Sequence, residues 1–308
     1  MPELDVPEIL EHSGAETQIV KSMSALLGRA GLEYEGKFVE VDGQRIHYLD
    51  YGQGPPVLML HGGGAGSAIW FRQIEVLAKF HRVVVPDHPV FGLSAQHAFG
   101  SPLVESLISY LTGFMSALRL ERVDLVGLSM GAQGALALAI ESPDRVNRLA
   151  VIGAAGLGRA FPLVFRLATI PVFGRLITRP NRWGQDNYFK TMEVIDSEFE
   201  DAELYRQYAY DVTLTEGHSS AMRSSISAIT SMVGQKSIFT DDDLRLVKAP
   251  TLAIWGEHDQ VFPVEHGYRL ARLVPDSSMR VIENARHVPL LDHPDEVNAL
   301  LSGFFARG

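Results

Sequence analysis

The chain of 308 residues contains no cysteine. That absence excludes a disulfide scaffold, a thiolate zinc site and a cysteine nucleophile, so covalent catalysis would need another side chain. Long hydrophobic runs are missing as well. The longest uncharged apolar stretch, Leu149 to Gly158 between two arginines, falls far short of the roughly 18 residues that a spanning helix needs. Integral membrane association is therefore not expected. Positive charge is scarce: 27 Lys and Arg against 37 Asp and Glu give a net charge of −10. Such a balance repels phosphate backbones and anionic membrane surfaces, so no nucleic-acid partner is expected and a small-molecule substrate fits better. The opening residues, Met1 to Glu8, are acidic where a secretory signal would be basic and apolar, which points to a cytoplasmic protein.

What is present is ample for a folded core. The chain is 46% hydrophobic, and surface scaling for this length implies that about three quarters of the unfolded chain's surface is buried. Residues 1–33 form an arm in which Ile9, Leu10, Ile19, Val20, Met23, Leu26 and Leu27 supply an apolar helical stripe. That stripe is expected to pack on the protein's own body or on a second subunit, which would make a homodimer through the N-terminal arm. From Lys37 onward, two alternating runs flank Asp42-Gly43, the signature of a hairpin. Short apolar runs at Val57–Leu60, Val83–Val85, Val123–Val126, Leu149–Ile152, Thr251–Trp255 and Met279–Ile282 then alternate with helical periodicity. This order predicts an α/β fold with a mostly parallel, doubly wound sheet. Residues 34–153 and 248–308 would build it. The interval 154–247 is too long for a loop and rich in aromatics, so it reads as an inserted helical cap over the carboxyl edge of the sheet.

Three signals carry chemistry. Gly127-Leu128-Ser129-Met130-Gly131 follows the strand Val123–Val126 and precedes an apolar helix, the setting in which a Gly-x-Ser-x-Gly elbow exposes a nucleophilic serine. The alternative role for Ser129 is a small residue capping the helix. His61-Gly62-Gly63-Gly64-Ala65-Gly66 lies just past a strand, and a run of glycines leaves backbone N–H groups able to meet an oxyanion. Gly63 and Met130 are the expected donors, with Gly62 and Gly64 as neighbours; His61 is expected to be structural. A serine needs a base, and the base a carboxylate. Asp259, after the strand Thr251–Trp255, and His287, after the last strand, complete the order Ser, Asp, His. Glu257 is the rival acid, and His258, His266 and His293 are flanking histidines.

Together with Pro86-Asp87-His88-Pro89-Val90-Phe91-Gly92-Leu93-Ser94 and His293-Pro294, these motifs occur in the order and spacing of the α/β-hydrolase superfamily, which the chain resembles from about residue 33 onward. Within it the chain resembles capped carboxylesterases and lipases, and is also similar to the meta-cleavage-product hydrolases that cut carbon–carbon bonds. Leu128, where the latter typically carry Asn, and Val288, where they typically carry Trp, depart from that second pattern. The resemblance therefore implies hydrolysis of carboxylic esters of short to medium acyl chain through an acyl-enzyme, without metal or organic cofactor. Its alternatives are carbon–carbon hydrolysis of vinylogous diketones and a non-catalytic binding module of the same fold. Trp70, Leu128, Val288, Phe161 and Trp183 are the expected lining of an apolar substrate pocket.

Overall fold

A computed structural model describes residues 14–64, 66–95, 99–100 and 102–306. The hairpin dipeptide does what its composition demands: Asp42 and Gly43 both adopt positive φ, 51° and 75°, the geometry of a tight turn whose twist matches its strands. It joins β1 (Lys37–Val41) to β2 (Gln44–Tyr51) in antiparallel register. The sheet continues with β3 (Pro56–Leu60), β4 (Arg82–Pro86), β5 (Val123–Leu128) and β6 (Val146–Ile152). A two-residue hairpin, β7 (Thr230–Ser231) and β8 (Gly234–Gln235), stands apart, and β9 (Thr251–Gly256) and β10 (Ser277–Ile282) close the series. The main sheet has the order β1-β2-β4-β3-β5-β6-β9-β10 and is parallel from β4 to β10. Its central strands are buried on both faces, as their continuous apolar runs require.

Helices, numbered in chain order, cover both faces. They are α1 (Gly14–Arg29), α2 (Phe71–Leu77), α3 (Leu103–Ala117), α4 (Met130–Glu141), then α5 (Leu163–Leu167), α6 (Pro171–Ile177), α7 (Arg182–Tyr188), α8 (Ala202–Thr213), α9 (His218–Ile229) and α10 (Asp241–Arg245), and after β9, α11 (Glu265–Leu273), α12 (Pro289–Asp292) and α13 (Pro294–Phe305). The six from α5 to α10 all fall between β6 and β9. One core, on the α3 and α4 side, holds Leu58, Leu60, Leu107, Leu111 and Phe114. The other, on the α1, α2 and α13 side, holds Val57, Met59, Val126, Ile254 and Leu301. This alternation of neighbours along one strand, Val57 and Met59 one way, Leu58 and Leu60 the other, is the two-residue period of a pleated strand.

The arm's apolar stripe packs on the protein's own body. Ile19, Met23, Leu26 and Leu27 are fully buried within the single chain, and α1 runs along α8. The side chains of the stripe from Ile19 to Leu27 that are fully buried are thus covered within one chain. Ile9 and Leu10 lie outside the described residues. Arg29 Nε meets Asp201 Oδ1 at 2.7 Å and Arg72 also pairs with Asp201, a carboxylate with no exposed side-chain surface. The arm, α2 and the start of α8 are thus tied at one point.

Candidate active site

The elbow after β5 is held by three close approaches. Ser129 has φ 56° and ψ −115°, a strained conformation for a side chain-bearing residue. A Cβ on Gly127 would stand 2.5 Å from Ala132 Cα, and one on Gly131 would strike the carbonyls of Leu60 and His61. Both flanking positions must therefore be glycine. Ser129 N–H donates to Ile152 O at 2.9 Å, which pins the turn to the end of β6. Its hydroxyl does not cap α4, so the helix-cap role is not taken. Met130 opens α4, where a first-turn N–H has no acceptor inside the helix.

Asp259 and His287 meet. Asp259 Oδ2 lies 2.8 Å from His287 Nδ1, while Oδ1 accepts the N–H groups of Val261 and Phe262 at 2.8 and 2.9 Å. The carboxylate is fully buried and the imidazole nearly so. Three hydrogen bonds fix the acid, and the acid fixes the ring. Gly153, immediately after β6, is where the elbow and this pair converge: at φ 50°, a Cβ there would stand 3.0 Å from His287 Cε1 and 3.2 Å from Asp259 Oδ2. Glu257 Oε2 instead accepts the Asn284 N–H at 3.2 Å, and His293 pairs with Asp292. His258 lies 3.6 Å from Glu257 at the surface, and His266 stacks on Phe262.

The glycine loop sits opposite. A Cβ on Gly62 would come 3.1 Å from Ser129 Cβ, so loop and elbow are in near contact. Gly63 and Gly64 line the cavity with Ser129 and Met130; Gly62 does not. Its carbonyl accepts from His61 Nδ1 at 2.7 Å, and His61 Nε2 accepts the His88 N–H at 2.9 Å. His61 is thus a buried, neutral cross-brace whose pKa is lowered by burial.

A cavity of about 480 Å³ opens above Ser129. Its apolar wall includes Phe161, Phe165, Phe189, Met222, Ile226 and Phe262, drawn mainly from the helices between β6 and β9. Two of the expected pocket residues, Phe161 and Trp183, line it. The other three do not. Trp70, Leu128 and Val288 are buried in the core on the α2 side of the sheet. Each adjoins a functional motif in sequence, but its side chain points into the sheet packing and away from the cavity.

Two polar residues in the wall were missed. Glu193 ends a π-helical turn, Phe189–Glu193, a widened turn often found at functional sites. The Val288 and His287 N–H groups donate to Glu193 O and Met192 O at 2.9 and 3.3 Å, so this turn is bonded to the chain beside the histidine. Burial drives the Glu193 carboxyl up to about 7, against the opposing pull of His287 and a hydrogen bond from Tyr205. His218, at the start of α9, is held near 4 by burial, and its Nδ1 has no partner. A lone acid and a lone histidine within a helical stretch carry no sequence signal that separates them from surface residues. Among the described residues no His, Asp and Glu cluster could hold a metal ion.

The elbow serine, the Asp259–His287 pair and the glycine loop thus gather at the carboxyl edge of the sheet, in a fold that is that of a hydrolase. A family model described as alpha/beta hydrolase fold matches residues 55–294, and the chain belongs to that family. It is 33% identical over 270 residues to a 2-hydroxy-6-oxononadienedioate/2-hydroxy-6-oxononatrienedioate hydrolase of Pseudomonas putida, covering 84% of this chain and 91% of the relative. To a 2-hydroxy-6-oxo-6-phenylhexa-2,4-dienoate hydrolase of Burkholderia cepacia it is 29% identical over 279 residues, 86% of this chain and 92% of the other. A meta-cleavage product hydrolase of Pseudomonas fluorescens IP01, crystallised with acetates, superposes with a TM-score of 0.75 at 27% identity, covering 88% of this chain and 97% of that one. The expectation of ester hydrolysis is overturned by these relatives, which are carbon–carbon bond hydrolases. Leu128 and Val288, the two departures behind that expectation, both lie in the core and outside the cavity.

Proposed function

We propose that the chain cleaves a carbon–carbon bond of a vinylogous diketone, a 2-hydroxy-6-oxo-dienoate, by adding water across it. The observation that carries this reading is the run of dienoate hydrolases similar to it over more than four fifths of its length. The site supplies the chemistry. Ser129 attacks the 6-oxo carbon as His287 takes its proton, and Asp259 holds the imidazolium. The amides of Gly63 and Met130 hold the oxyanion. The 2-hydroxyl proton moves to C5 to give the keto tautomer before attack; collapse then breaks the bond to C5, whose electron pair passes through the enone to the 2-oxygen, and His287 returns its proton to that oxygen. Water then releases the acid from Ser129. Hydroxyl ends on the acyl carbon and hydrogen on the leaving carbon, so no cofactor is required.

The aromatic wall accommodates a flat conjugated chain, and Arg179 in the cavity lining offers a cation to its carboxylate. With 2-hydroxy-6-oxo-6-phenylhexa-2,4-dienoate, loss of the dienoate absorbance should accompany release of benzoate. Ser129→Ala and Asp259→Asn should each lower turnover by about 10⁴-fold. Unchanged absorbance with the folded wild-type protein, or undiminished turnover in Ser129→Ala, would overturn the reading.

A further inference from the structure

The chain's acidity is not evenly spread. Between Asp144 and Asp186 there is no carboxylate at all, and residues 159–185 carry Arg159, Arg166, Arg175, Arg179 and Arg182. Residues 217–240 are likewise free of Asp and Glu and hold Arg223 and Lys236. Both segments belong to the insertion between β6 and β9. Among the described residues, Arg182 is the only one of those five arginines that pairs with a carboxylate, Glu203. Arg159, Arg175 and Arg179 are exposed.

The same face is apolar. Leu163, Val172, Phe173, Leu176, Trp183 and Val233 are all exposed, Val172 and Trp183 to 77%. The β7–β8 tip is bound to it, since Arg166 Nε donates to Met232 O at 2.7 Å. Large apolar side chains gathered on one face mark an interaction surface. Basic residues interleaved with apolar ones and a tryptophan match the headgroup layer of an anionic membrane, where arginine meets phosphate and the apolar side chains enter the acyl boundary. Leu176, Arg179 and Trp183 belong at once to this face and to the cavity lining. The cavity mouth therefore opens within the patch.

We infer that the outer face of α5, α6 and α7, with the β7–β8 tip, docks reversibly on an anionic lipid bilayer, which sets the cavity mouth at the membrane interface. The net charge of −10 does not oppose this, because charges beyond about 8 Å are screened at physiological salt. The patch is what the surface meets.

The protein contains its own reporter. Of three tryptophans, Trp70 and Trp255 are fully buried and Trp183 is exposed. Vesicles of phosphatidylcholine with about 30 mol % phosphatidylglycerol should shift tryptophan emission to the blue, and brominated lipid should quench it. Binding should be about tenfold weaker to pure phosphatidylcholine, and should fall with added salt. The triple variant Val172→Ser, Phe173→Ser, Arg175→Glu changes no cavity-lining residue; it should lose vesicle binding while keeping its circular dichroism spectrum and unfolding temperature. Equal binding to neutral vesicles, no binding, or binding retained by the folded variant would each overturn the inference. So would self-association without lipid that the variant abolishes, which would assign the patch to a second copy of the chain.

Discussion

At the scale of single residues, the candidate triad could be read from the sequence because each member follows a strand, and a strand's end is fixed by local chemistry. Ser129 needs glycines on both sides, and Asp259 and His287 sit in the turns after β9 and β10. The pocket was harder to read. Trp70, Leu128 and Val288 adjoin those motifs, yet whether a side chain faces cavity or core depends on the path of a loop, which periodicity does not report. Glu193 was illegible for a similar reason: only tertiary packing puts it beside His287. That placement has a consequence for pH. Its carboxyl titrates near 7 in the folded protein and near the ordinary 4.5 when unfolded. The folded state therefore holds that proton more tightly, and the contribution of Glu193 to stability falls as pH rises from about 4.5 through about 7, then levels off; the buried histidines, His218 among them, contribute with the opposite sign, so the comparison is with a variant that differs only at Glu193. Glu193→Gln carries no such titration. It should unfold at a higher temperature than wild type at pH 8 and at nearly the same temperature at pH 5. The Michaelis constant for an anionic dienoate should rise in wild type as the pH passes 7, because an ionised Glu193 repels it, and stay flat in the variant. Parallel profiles for the two proteins would show that the carboxyl does not titrate there.

At the scale of elements, the hairpin, the parallel strands and their covering helices were all legible, since each has a period and a boundary signal of its own. The relation between α1 and the inserted helices was not. Amphipathicity says that a helix has a partner and is silent on which one. The structure gives α1 to α8, sealed by Met23, Leu26 and Leu27 and clamped where Arg29 and Arg72 share Asp201. Since α8 also carries Tyr205, the hydrogen-bond partner of Glu193, the N-terminal arm braces the cavity wall from behind. Leu26 is fully buried, so Leu26→Ala leaves a cavity worth about 2–5 kcal/mol. Urea unfolding should show that loss, and turnover should fall with it as α8 loosens. A variant as stable as wild type would mean that α1 merely rests on the body.

At the scale of the whole molecule, two electrostatic effects compete for an anionic substrate. The net charge of −10 repels it at long range, whereas the arginines of the carboxylate-free segment 159–185, Arg179 at the cavity mouth among them, attract it at short range. Composition alone favours the first. The arrangement favours the second, because potential falls off over about 8 Å at physiological salt and the arginines lie at the mouth itself, with Arg179 exposed in its rim. The sign of the salt effect decides between them. If the local field dominates, kcat/KM for a dienoate declines as sodium chloride is raised, since salt screens an attraction; if the global charge dominates, kcat/KM climbs. Arg179→Glu reverses a charge within contact distance of an entering carboxylate, where a unit pair in water is worth about 1 kcal/mol. Replacing attraction by repulsion changes this by about 2 kcal/mol and should therefore lower kcat/KM by roughly thirtyfold at low salt, and by much less at high salt where both are screened. Equal losses at low and high salt would make Arg179 a shape-determining residue of the rim, and a wild-type kcat/KM that rises with salt would return control of the encounter to the acidic body of the molecule.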